Sequence, residues 1–347
     1  MKRIAVVMGG PSAENEVSLR SGIEVLRHID HGTWQVRAVV ITQEKRFYFC
    51  NCAAGMFPDE LDICRPESSK RMHGPHSGAD AAAVWESCDA VFNAMHGSFG
   101  EDGVFQGYLE SIGLPYTGSG VYASAVAMNK ITSKQLYRLS GLTVAPSMIY
   151  GKQFPQNSID RIAEQIGFPC FVKCPQSGSS RLMGRATSFE ELTAQLSEFS
   201  SYADEIMVEK SITGTEFTCG VLDKENGETF ALPPIEIRPK DTFFTFDAKY
   251  KTGGSDEIVP APFPEEILSQ IRTIALIAHK ACGCSGISRT DMIMADGLFY
   301  VLETNTLPGL TSTSLIPKAF KAAGGTYSGL IDLLIRQALT SAAPGQS

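Results

Sequence analysis

The sequence predicts an α/β protein of more than one domain, and three observations support this. The chain opens with an apolar strand, residues 2 to 8, that runs into Gly9 and Gly10 and then into a helical pattern. Further apolar strands alternate with helical stretches, an order typical of a parallel sheet covered by helices. The 347 residues exceed what one small core usually holds, and this length favours about two or three domains.

The first part of the chain has a Rossmann-like opening, because strand, glycine turn and helix follow one another directly. We predict a helix from about Ser18 to Ile29 and strands at about 35 to 41 and 89 to 95. Residues 43 to 87 are irregular and polar, and we interpret them as a long surface excursion without a functional signal.

The second part begins with a helical pattern at 121 to 139, followed by strands at 168 to 173 and 205 to 210. The loop QSGSSRLMG and a helix from Ser188 to Phe199 separate these two strands. Later elements are strands at TEFTCGVL and ALPPIEI, a polar stretch at 238 to 262, a helix at 264 to 281, a hairpin and a final helix.

Composition and charge argue against several classes of protein. A composition of 43% hydrophobic and 20% charged residues is that of an ordinary soluble protein. No stretch approaches the ~20 apolar residues of a membrane span, and the first residues predict a strand, not a signal peptide. The net charge of -8 argues against nucleic acid as a partner. The nine scattered cysteines indicate reduced thiols in a cytoplasm.

The stretch from Thr290 to Gly309 predicts a magnesium site on a hairpin. Asp291, Glu303 and Asn305 supply carboxylate and amide oxygens, which suit Mg²⁺. Glu303 and Asn305 are two residues apart, so they share a strand face. Asp291 joins that face if the loop has three residues, Ala295 to Gly297, whereas a two-residue Asp-Gly turn would place it on the other face.

A second set of residues predicts a nucleotide site. Lys173 and Lys210 end two strands around a glycine and serine loop, whose backbone amides could bind phosphate. The loop lacks the GxxxxGK[ST] pattern, so it is not a Walker loop. Together with the magnesium hairpin, the loop indicates a nucleotide held between two small sheets.

Six segments resemble, in order and over nearly the whole chain, the successive signatures of the D-alanine:D-alanine ligase family within the ATP-grasp superfamily. They are GGPSAENEVSLRSG (9 to 22), HGSFGEDGVFQGYLE (96 to 110), LPYTGSGVYASAVAMNK (114 to 130), VEKSITGTEF (208 to 217), DAKY (247 to 250), and SRTDMIM with VLETNTLPGLTSTSL (301 to 315).

The resemblance implies a three-domain ATP-grasp fold that holds the nucleotide between two smaller α+β domains. The domains would be a Rossmann-like unit at 1–118, a lid with the phosphate loop at 119–211, and a unit at 212–347 with the magnesium site and a mobile loop at 238–262. It also implies ATP, two Mg²⁺ or Mn²⁺ ions, a cytoplasmic homodimer, and synthesis of D-alanyl-D-alanine for peptidoglycan through a D-alanyl phosphate.

The resemblance also implies roles for individual residues. Asp291, Glu303 and Asn305 would bind the metal ions, with Glu303 bridging, while Lys249 approaches the γ-phosphate. Arg289 and the Gly309 amide would bind the oxyanion that forms when the second amine attacks. The nucleotide would be bound by Lys130, Lys173, Ser179, Ser180, Glu209, Lys210, Glu216 and Lys249, with Glu216 on the ribose.

The same resemblance assigns residues to the two amino acids. Glu14 would take the first ammonium group, and its hydrogen-bond chain with Ser179 and Tyr250 would close the site against water. Ser314 and the Leu315 amide would receive the second carboxylate. His96 would lie near the first substrate, although a structural role for this histidine is an equal alternative.

Three positions depart from the family pattern. Asn129 stands where the family usually has aspartate, Cys174 where it has proline, and Arg181-Leu182 where it has an apolar residue and glycine. Leucine would cost about 1 to 2 kcal/mol in a left-handed conformation, unless Gly184 relocates the turn.

These departures leave alternatives open. One is a ligase of the same mechanism with another second substrate, such as D-serine, or one in a specialised pathway. Tyr250 argues against the D-lactate type, for which the resemblance leads us to expect phenylalanine. The other alternative is a non-catalytic nucleotide-binding relative, which the retained Lys249, Arg289 and metal residues disfavour.

Overall fold

The computed structural model describes residues 1–52, 57–78, 80–176, 182–239 and 255–341. The strands within these residues form three separate sheets. None of the helices in these ranges is both long enough and apolar enough to cross a membrane. The predicted site residues Ser179, Ser180, Lys249 and Tyr250, together with Arg181, lie outside the described residues.

The N-terminal sheet has the strand order β4-β3-β2-β1-β5. Its parallel strands are β1 (Arg3–Gly9), β2 (Gln35–Ile41) and β5 (Ala90–Asn93). Strands β3 (Phe47–Cys52) and β4 (His73–His76) are antiparallel additions, so the sheet is mixed, not purely parallel. The helices of this region are α1 (Asn15–His28), α2 (Glu60–Cys64), α3 (Ala82–Trp85) and α4 (Val104–Ser111).

The expectation that residues 43 to 87 form a surface excursion is wrong. Strands β3 and β4 extend the sheet, and Phe47 is only 3% exposed. Phe47 packs edge-on against Trp85, with ring centroids 6.0 Å apart. Apolar side chains separated by many polar residues thus join the core on one face of the N-terminal sheet, because they meet it only after the chain has folded back.

The second sheet has the order β6-β9-β7-β8 and is antiparallel throughout. Its strands are β6 (Ser147–Gly151), β7 (Cys170–Lys173), β8 (Met183–Ala186) and β9 (Glu205–Lys210). Helices α7 (Ile159–Ile166) and α8 (Phe189–Phe199) cover one face, and Ser158 and Ser188 cap them by accepting backbone N–H bonds. We call this unit the lid.

The third sheet has the order β13-β12-β10-β14-β15, with β11 paired to β10. Its strands are β10 (Thr215–Asp223), β11 (Thr229–Ala231), β12 (Ile235–Pro239), β13 (Ser255–Ile258), β14 (Ile287–Ala295) and β15 (Leu298–Asn305). Its helices are α9 (Glu265–Ala281), α10 (Leu315–Ala322) and α11 (Tyr327–Ser341).

The helical pattern at 121 to 139 forms two helices, α5 (Val121–Met128) and α6 (Lys130–Leu139). The break occurs at Asn129, whose side-chain oxygen accepts the amide N–H bonds of Ile131 and Thr132. Asparagine caps a helix about as well as aspartate does, so this departure from the family pattern keeps the cap. Helices α5 and α6 both contact β15.

One hydrophobic cluster joins the first and third sheets. It contains Leu26 and Trp34 from the N-terminal region together with Leu232, Leu330 and Ile335 from the C-terminal region. The lid has its own cluster around Ile162, Val172, Leu192 and Val208. Each sheet falls within one of the three predicted domain ranges, while the boundaries themselves stay predictions.

Candidate active site

A cleft of about 1020 Å³ brings together residues from distant parts of the chain. Eight of the nine predicted substrate and metal residues line it, and so does Lys130 from the nucleotide set. The eight are Glu14, His96, Arg289, Glu303, Asn305, Gly309, Ser314 and Leu315, whereas Asp291 is not among the lining residues. Lys173, Glu209, Lys210 and Glu216 are not among its lining residues.

The hairpin of β14 and β15 places Asp291 on the same face as Glu303, as predicted, but its turn differs from the one that this placement was thought to require. Its turn has two residues, Asp296 and Gly297, both with positive φ, so the two-residue Asp-Gly turn is formed and the three-residue loop is not. A β-bulge between Asp291 and Met292 shifts the register, and Asp291 therefore lies opposite Glu303. Directly opposed residues share a sheet face. The bulge therefore puts Asp291 on the face of Glu303, where a two-residue turn without a bulge would not have placed it.

Cations balance both carboxylates of this hairpin. The Arg289 guanidinium donates two hydrogen bonds to Asp291, at 2.9 and 2.8 Å. The Lys130 ammonium lies 3.1 Å from a Glu303 oxygen. Asn305 donates a longer bond of 3.3 Å to Asp291. Arg289 and Asp291 therefore do share one face of β14, as their spacing predicts.

The oxygen donors on this face fit Mg²⁺. Two carboxylates and an amide are what such an ion takes from protein when water and phosphate complete its shell. Within the ranges that the structure describes, no three His, Cys, Asp or Glu side chains group closely enough to hold a metal ion. Ions at Asp291, Glu303 and Asn305 would thus need substrate oxygens.

Strand β10 adds two polar side chains to this face. Thr218 lies opposite Asp291, and its hydroxyl donates a 2.5 Å bond to that carboxylate. Glu216 is two residues earlier, so it lies on the same face as Thr218. The predicted ribose residue is therefore on the metal side of the sheet, although outside the main cleft.

A buried ion cluster lies where the lid meets α6. Glu209 is 2% exposed, and it contacts the ammonium groups of Lys173 and Lys134, the latter at 2.8 Å. Burial by itself would raise the pKa of Glu209, but Lys134 and Lys173 outweigh it and lower the value to about 2. Two cations against one anion leave a positive charge that suits a phosphate.

Lys134 belongs to this cluster, although it is not among the residues predicted from the sequence. The feature of the sequence that could have indicated this lysine is its position four residues after Lys130, which places both lysines on one face of α6. The importance of this lysine depends on its complete burial next to Glu209, and that burial follows from packing between α6 and the lid.

The expectation that Lys173 and Lys210 flank the same loop is wrong. Strands β7 and β9 are antiparallel, and they set Lys173 opposite Met207 and Lys210 opposite Cys170. The two lysines thus lie about three residues, or ~10 Å, apart along the strands. Lys210 is exposed, and its backbone amide donates to Pro146.

Glu14 lies at the N-terminus of α1, where two loops meet. Its backbone N–H donates to the Ser12 hydroxyl, which donates in turn to the His96 carbonyl at 2.6 Å. Gly97 lies directly beside this contact. A Cβ at this position would lie 3.0 Å from the Ser12 side chain, and the backbone of Gly97 has a positive φ of 74°. The glycine in HGSFGEDG therefore allows the close approach that places Glu14 in the cleft.

His96 uses both ring nitrogens within the protein. Nδ1 donates to the Leu307 carbonyl at 3.2 Å, so Nε2 is the acceptor for the Ser21 hydroxyl at 2.8 Å. Burial lowers the pKa of His96 to about 4, and the ring is neutral at neutral pH. These contacts favour the structural role among the two alternatives, while its substrate role stays a prediction.

Glu101, in the same motif, received no role in the sequence analysis. It lines the cleft, and burial followed by the charge of Glu14 raises its pKa to about 8. The carboxyl group is therefore protonated at neutral pH and can donate a hydrogen bond. An acidic residue between two glycines of HGSFGEDG was the available signal.

The segment after β15 leads into a helix start that lines the cleft. Ser314 precedes α10, and Leu315 is its first residue, so the Leu315 amide is one of the unpaired N–H groups of a helix start. A Cβ on Gly309 would lie 3.0 Å from the Ser314 hydroxyl, so glycine permits this contact. This geometry suits a carboxylate.

The two departures at Cys174 and Leu182 contact each other. The Cys174 N–H donates to the Leu182 carbonyl at 3.0 Å, a bond that proline could not make. Leu182 has a φ of 49°, the left-handed conformation that glycine favours, and its side chain packs on the lid core. Gly184 pairs with Val172 in β8 and is not left-handed, so it has not relocated the turn.

Comparisons with known proteins agree over nearly the whole chain. A family model described as D-ala D-ala ligase N-terminus matches residues 3–119, and one described as D-ala D-ala ligase C-terminus matches residues 136–336. The D-alanine--D-alanine ligase of Leptospira interrogans is 38% identical over 98% of this chain and 100% of its own length.

Solved structures give the same result. The VanG D-Ala:D-Ser ligase from Enterococcus faecalis has a TM-score of 0.85 at 30% identity, with 97% of this chain and 99% of that chain covered. The D-alanine--D-alanine ligase from Bacillus anthracis, complexed with ATP, has a TM-score of 0.77 at 31% identity, with 99% of each chain covered.

Proposed function

Because the chain belongs to the D-alanine:D-alanine ligase family, we propose that it joins two D-alanine molecules into D-alanyl-D-alanine and converts ATP to ADP and phosphate. The observation that supports this best is the hairpin of β14 and β15. It places Arg289, Asp291, Glu303 and Asn305 on one face, and the helix start at Ser314 lines the same cleft.

Different residues bind the first D-alanine, the second D-alanine and the oxyanion that forms when they react. Glu14 binds the ammonium group of the first D-alanine, and Arg289 with the Gly309 amide binds the oxyanion that forms during attack by the second amine. Ser314 and the Leu315 amide hold the second carboxylate, in line with their position at the start of α10.

Asp291, Glu303 and Asn305 would hold two Mg²⁺ or Mn²⁺ ions, which neutralise charge on the phosphates when bound. Arg289 and Lys130 now balance these carboxylates, so binding of the ions requires both cations to move or to turn towards phosphate oxygens. Lys173, Lys210, Glu209 and Glu216 bind the nucleotide in this proposal, and Ser179, Ser180, Lys249 and Tyr250 complete the closed site.

The identity of the second substrate has one specific alternative. The similar Enterococcus faecalis structure is a D-Ala:D-Ser ligase, so D-serine is the alternative second substrate. The complete set of charged residues on β14 and β15 argues against a non-catalytic relative. We further propose that the enzyme is a cytoplasmic homodimer and that its dipeptide enters peptidoglycan synthesis.

The test is phosphate release from ATP by the purified protein with D-alanine alone, with D-serine added, and with L-alanine as control. We expect D-alanyl-D-alanine by mass spectrometry and no phosphate release with L-alanine. A mixed D-alanyl-D-serine product in excess would establish the rival second substrate. Nucleotide binding without phosphate release for any of the amino acids would contradict the ligase proposal.

A further inference from the structure

A buried chain of hydroxyl groups lies directly behind the metal residues. On β14 and β15, Thr290 lies opposite Thr304, and their hydroxyls are 3.1 Å apart. This pair lies between the pair Arg289 and Asn305 and the pair Asp291 and Glu303. Because side chains alternate along a strand, the threonines point away from the metal face and into the core.

Helix α6 reaches this threonine pair through Tyr137. The Tyr137 hydroxyl donates a 2.7 Å bond to the Thr304 hydroxyl and accepts a bond from the Cys282 thiol at 3.7 Å. Tyr137, Thr290 and Cys282 are all 0% exposed. Apolar residues surround the ring, among them Leu142 and Val301. Burial holds the pKa of Tyr137 well above its usual range, so the hydroxyl remains a donor.

The same face of α6 makes further contacts with β15. Lys130, Lys134 and Tyr137 are spaced by four and three residues, so they line one side of the helix. They contact Glu303, the Val301 carbonyl at 3.4 Å, and Thr304 respectively. Lys134 also pairs with Glu209 of the lid. One helix face therefore sets the position of β15 relative to the lid.

We propose that Tyr137 is a positioning residue, which fixes β15 against α6 and thereby holds Glu303 and Asn305 at the spacing that the metal ions require. This inference rests on the proposed function, because it concerns the same metal strands. Thr304 lies between the two ligands in the chain, so any rotation of its backbone moves both of them. Among the described contacts, the only hydrogen bond between α6 and Thr304 is the one that the Tyr137 hydroxyl donates.

A hydrogen bond that acts on ligands through their backbone should change metal affinity more than nucleotide affinity. In the Tyr137→Phe variant the ring still fills its site, and Thr304 keeps Thr290 as a partner. Loss of an indirect support for ligands typically weakens metal binding, and we expect the Kd for Mn²⁺ to rise about tenfold. Binding of the nucleotide without metal should stay as in the wild type.

The experiment is calorimetry on the full chain with a non-hydrolysable ATP analogue, with and without Mn²⁺. Tyr108→Phe is the matched control, because it removes a tyrosine hydroxyl that accepts a 2.7 Å bond from Trp85 in the N-terminal region. We expect Tyr108→Phe to lower thermal stability without a change in the Kd for Mn²⁺. Thr304→Val should reproduce the effect of Tyr137→Phe, and Thr304→Ser should preserve metal affinity.

Combining Tyr137→Phe with Thr304→Val tests the link directly. Both changes remove the bond between Tyr137 and Thr304, and Thr304→Val also removes the contact with Thr290, so the two effects should add only in part. An unchanged Kd for Mn²⁺ in both single variants would overturn the inference, even if the melting temperature falls. Full additivity in the double variant would overturn it as well. If the wild type shows no Mn²⁺-dependent binding of the analogue, the proposed metal site fails and this inference fails with it.

Discussion

The hairpin of β14 and β15 and the hairpin of β7 and β8 bear groups predicted to bind metal and phosphate, yet their geometry has different origins. The first turns through Asp296 and Gly297, residue types that tolerate positive φ, and a bulge corrects its register. The second has a leucine, Leu182, in the left-handed conformation. Such a conformation costs leucine about 1 to 2 kcal/mol.

The difference lies in how many contacts fix each hairpin. Asp291 alone accepts bonds from Arg289, Thr218 and Asn305, and the threonine pair anchors the opposite face. At the start of the second hairpin, Cys174 bonds to Leu182, the leucine side chain packs on the lid core, and the Pro175 carbonyl accepts a bond from the Lys130 amide. Side-chain bonds thus hold the metal residues of the first hairpin, whereas two residues that depart from the family pattern contact each other in the second.

The largest expected effect separates two acidic positions on the metal hairpin. Glu303→Gln removes the proposed bridging anion and the carboxylate charge that Lys130 contacts, so we expect kcat to fall at least ~1000-fold, about 4 kcal/mol. Asp296→Asn is the control, because asparagine also accepts the positive φ of the turn. Steady-state phosphate release measures both variants. Equal activities would mean that the metal site is misplaced.

The next effect concerns the ion cluster that links the lid to α6. Glu209→Gln leaves Lys134 and Lys173 buried without a counter-charge, and we expect the free energy of unfolding to fall by about 3 kcal/mol. Glu205→Gln on the same strand, a residue only partly buried, should change it by less than about 0.5 kcal/mol. Urea unfolding at pH 7 measures this contrast, and a similar loss in both variants would contradict it.

The same cluster gives a pH dependence. The folded pKa of Glu209, about 2, is below its usual value near 4.5, so its stabilisation is complete above about pH 4.5 and decreases as pH falls towards 2. The wild type should therefore lose its advantage over Glu209→Gln across that range. An advantage that stays constant down to pH 3 would show that the carboxylate is not held in its charged form.

The smallest effect tests the strain in the lid hairpin. Leu182→Gly relieves the positive φ, and we expect a lower KM for ATP or a higher kcat by up to about tenfold, equivalent to ~1.4 kcal/mol. Gly184→Ala is the comparison. The new Cβ would lie 2.4 Å from the Gln195 side chain, but the backbone of Gly184 has no positive φ that alanine would resist. ATP kinetics that are unchanged in both variants would show that this strain does not reach the phosphates.

The sequence by itself determined the α/β class, most of the strands and helices, and most of the residues that line the candidate site. Strand β2 and helix α8 match their predicted ranges closely, because apolar periodicity and serine caps are local properties of the chain. The spacing of Arg289 and Asp291, and that of Glu303 and Asn305, also fixed their shared faces, since a strand has a period of two residues.

Tertiary structure alone decided the features that depend on partners far along the chain. The bulge beside Asp291, the antiparallel pairing that separates Lys173 from Lys210, and the sheet strands within 43 to 87 are matters of register between distant segments. The burial of Glu209 with Lys134 and the neutral state of His96 follow from desolvation by packed elements. Neither register nor desolvation is encoded in a single stretch of sequence, because both arise only when separate elements meet.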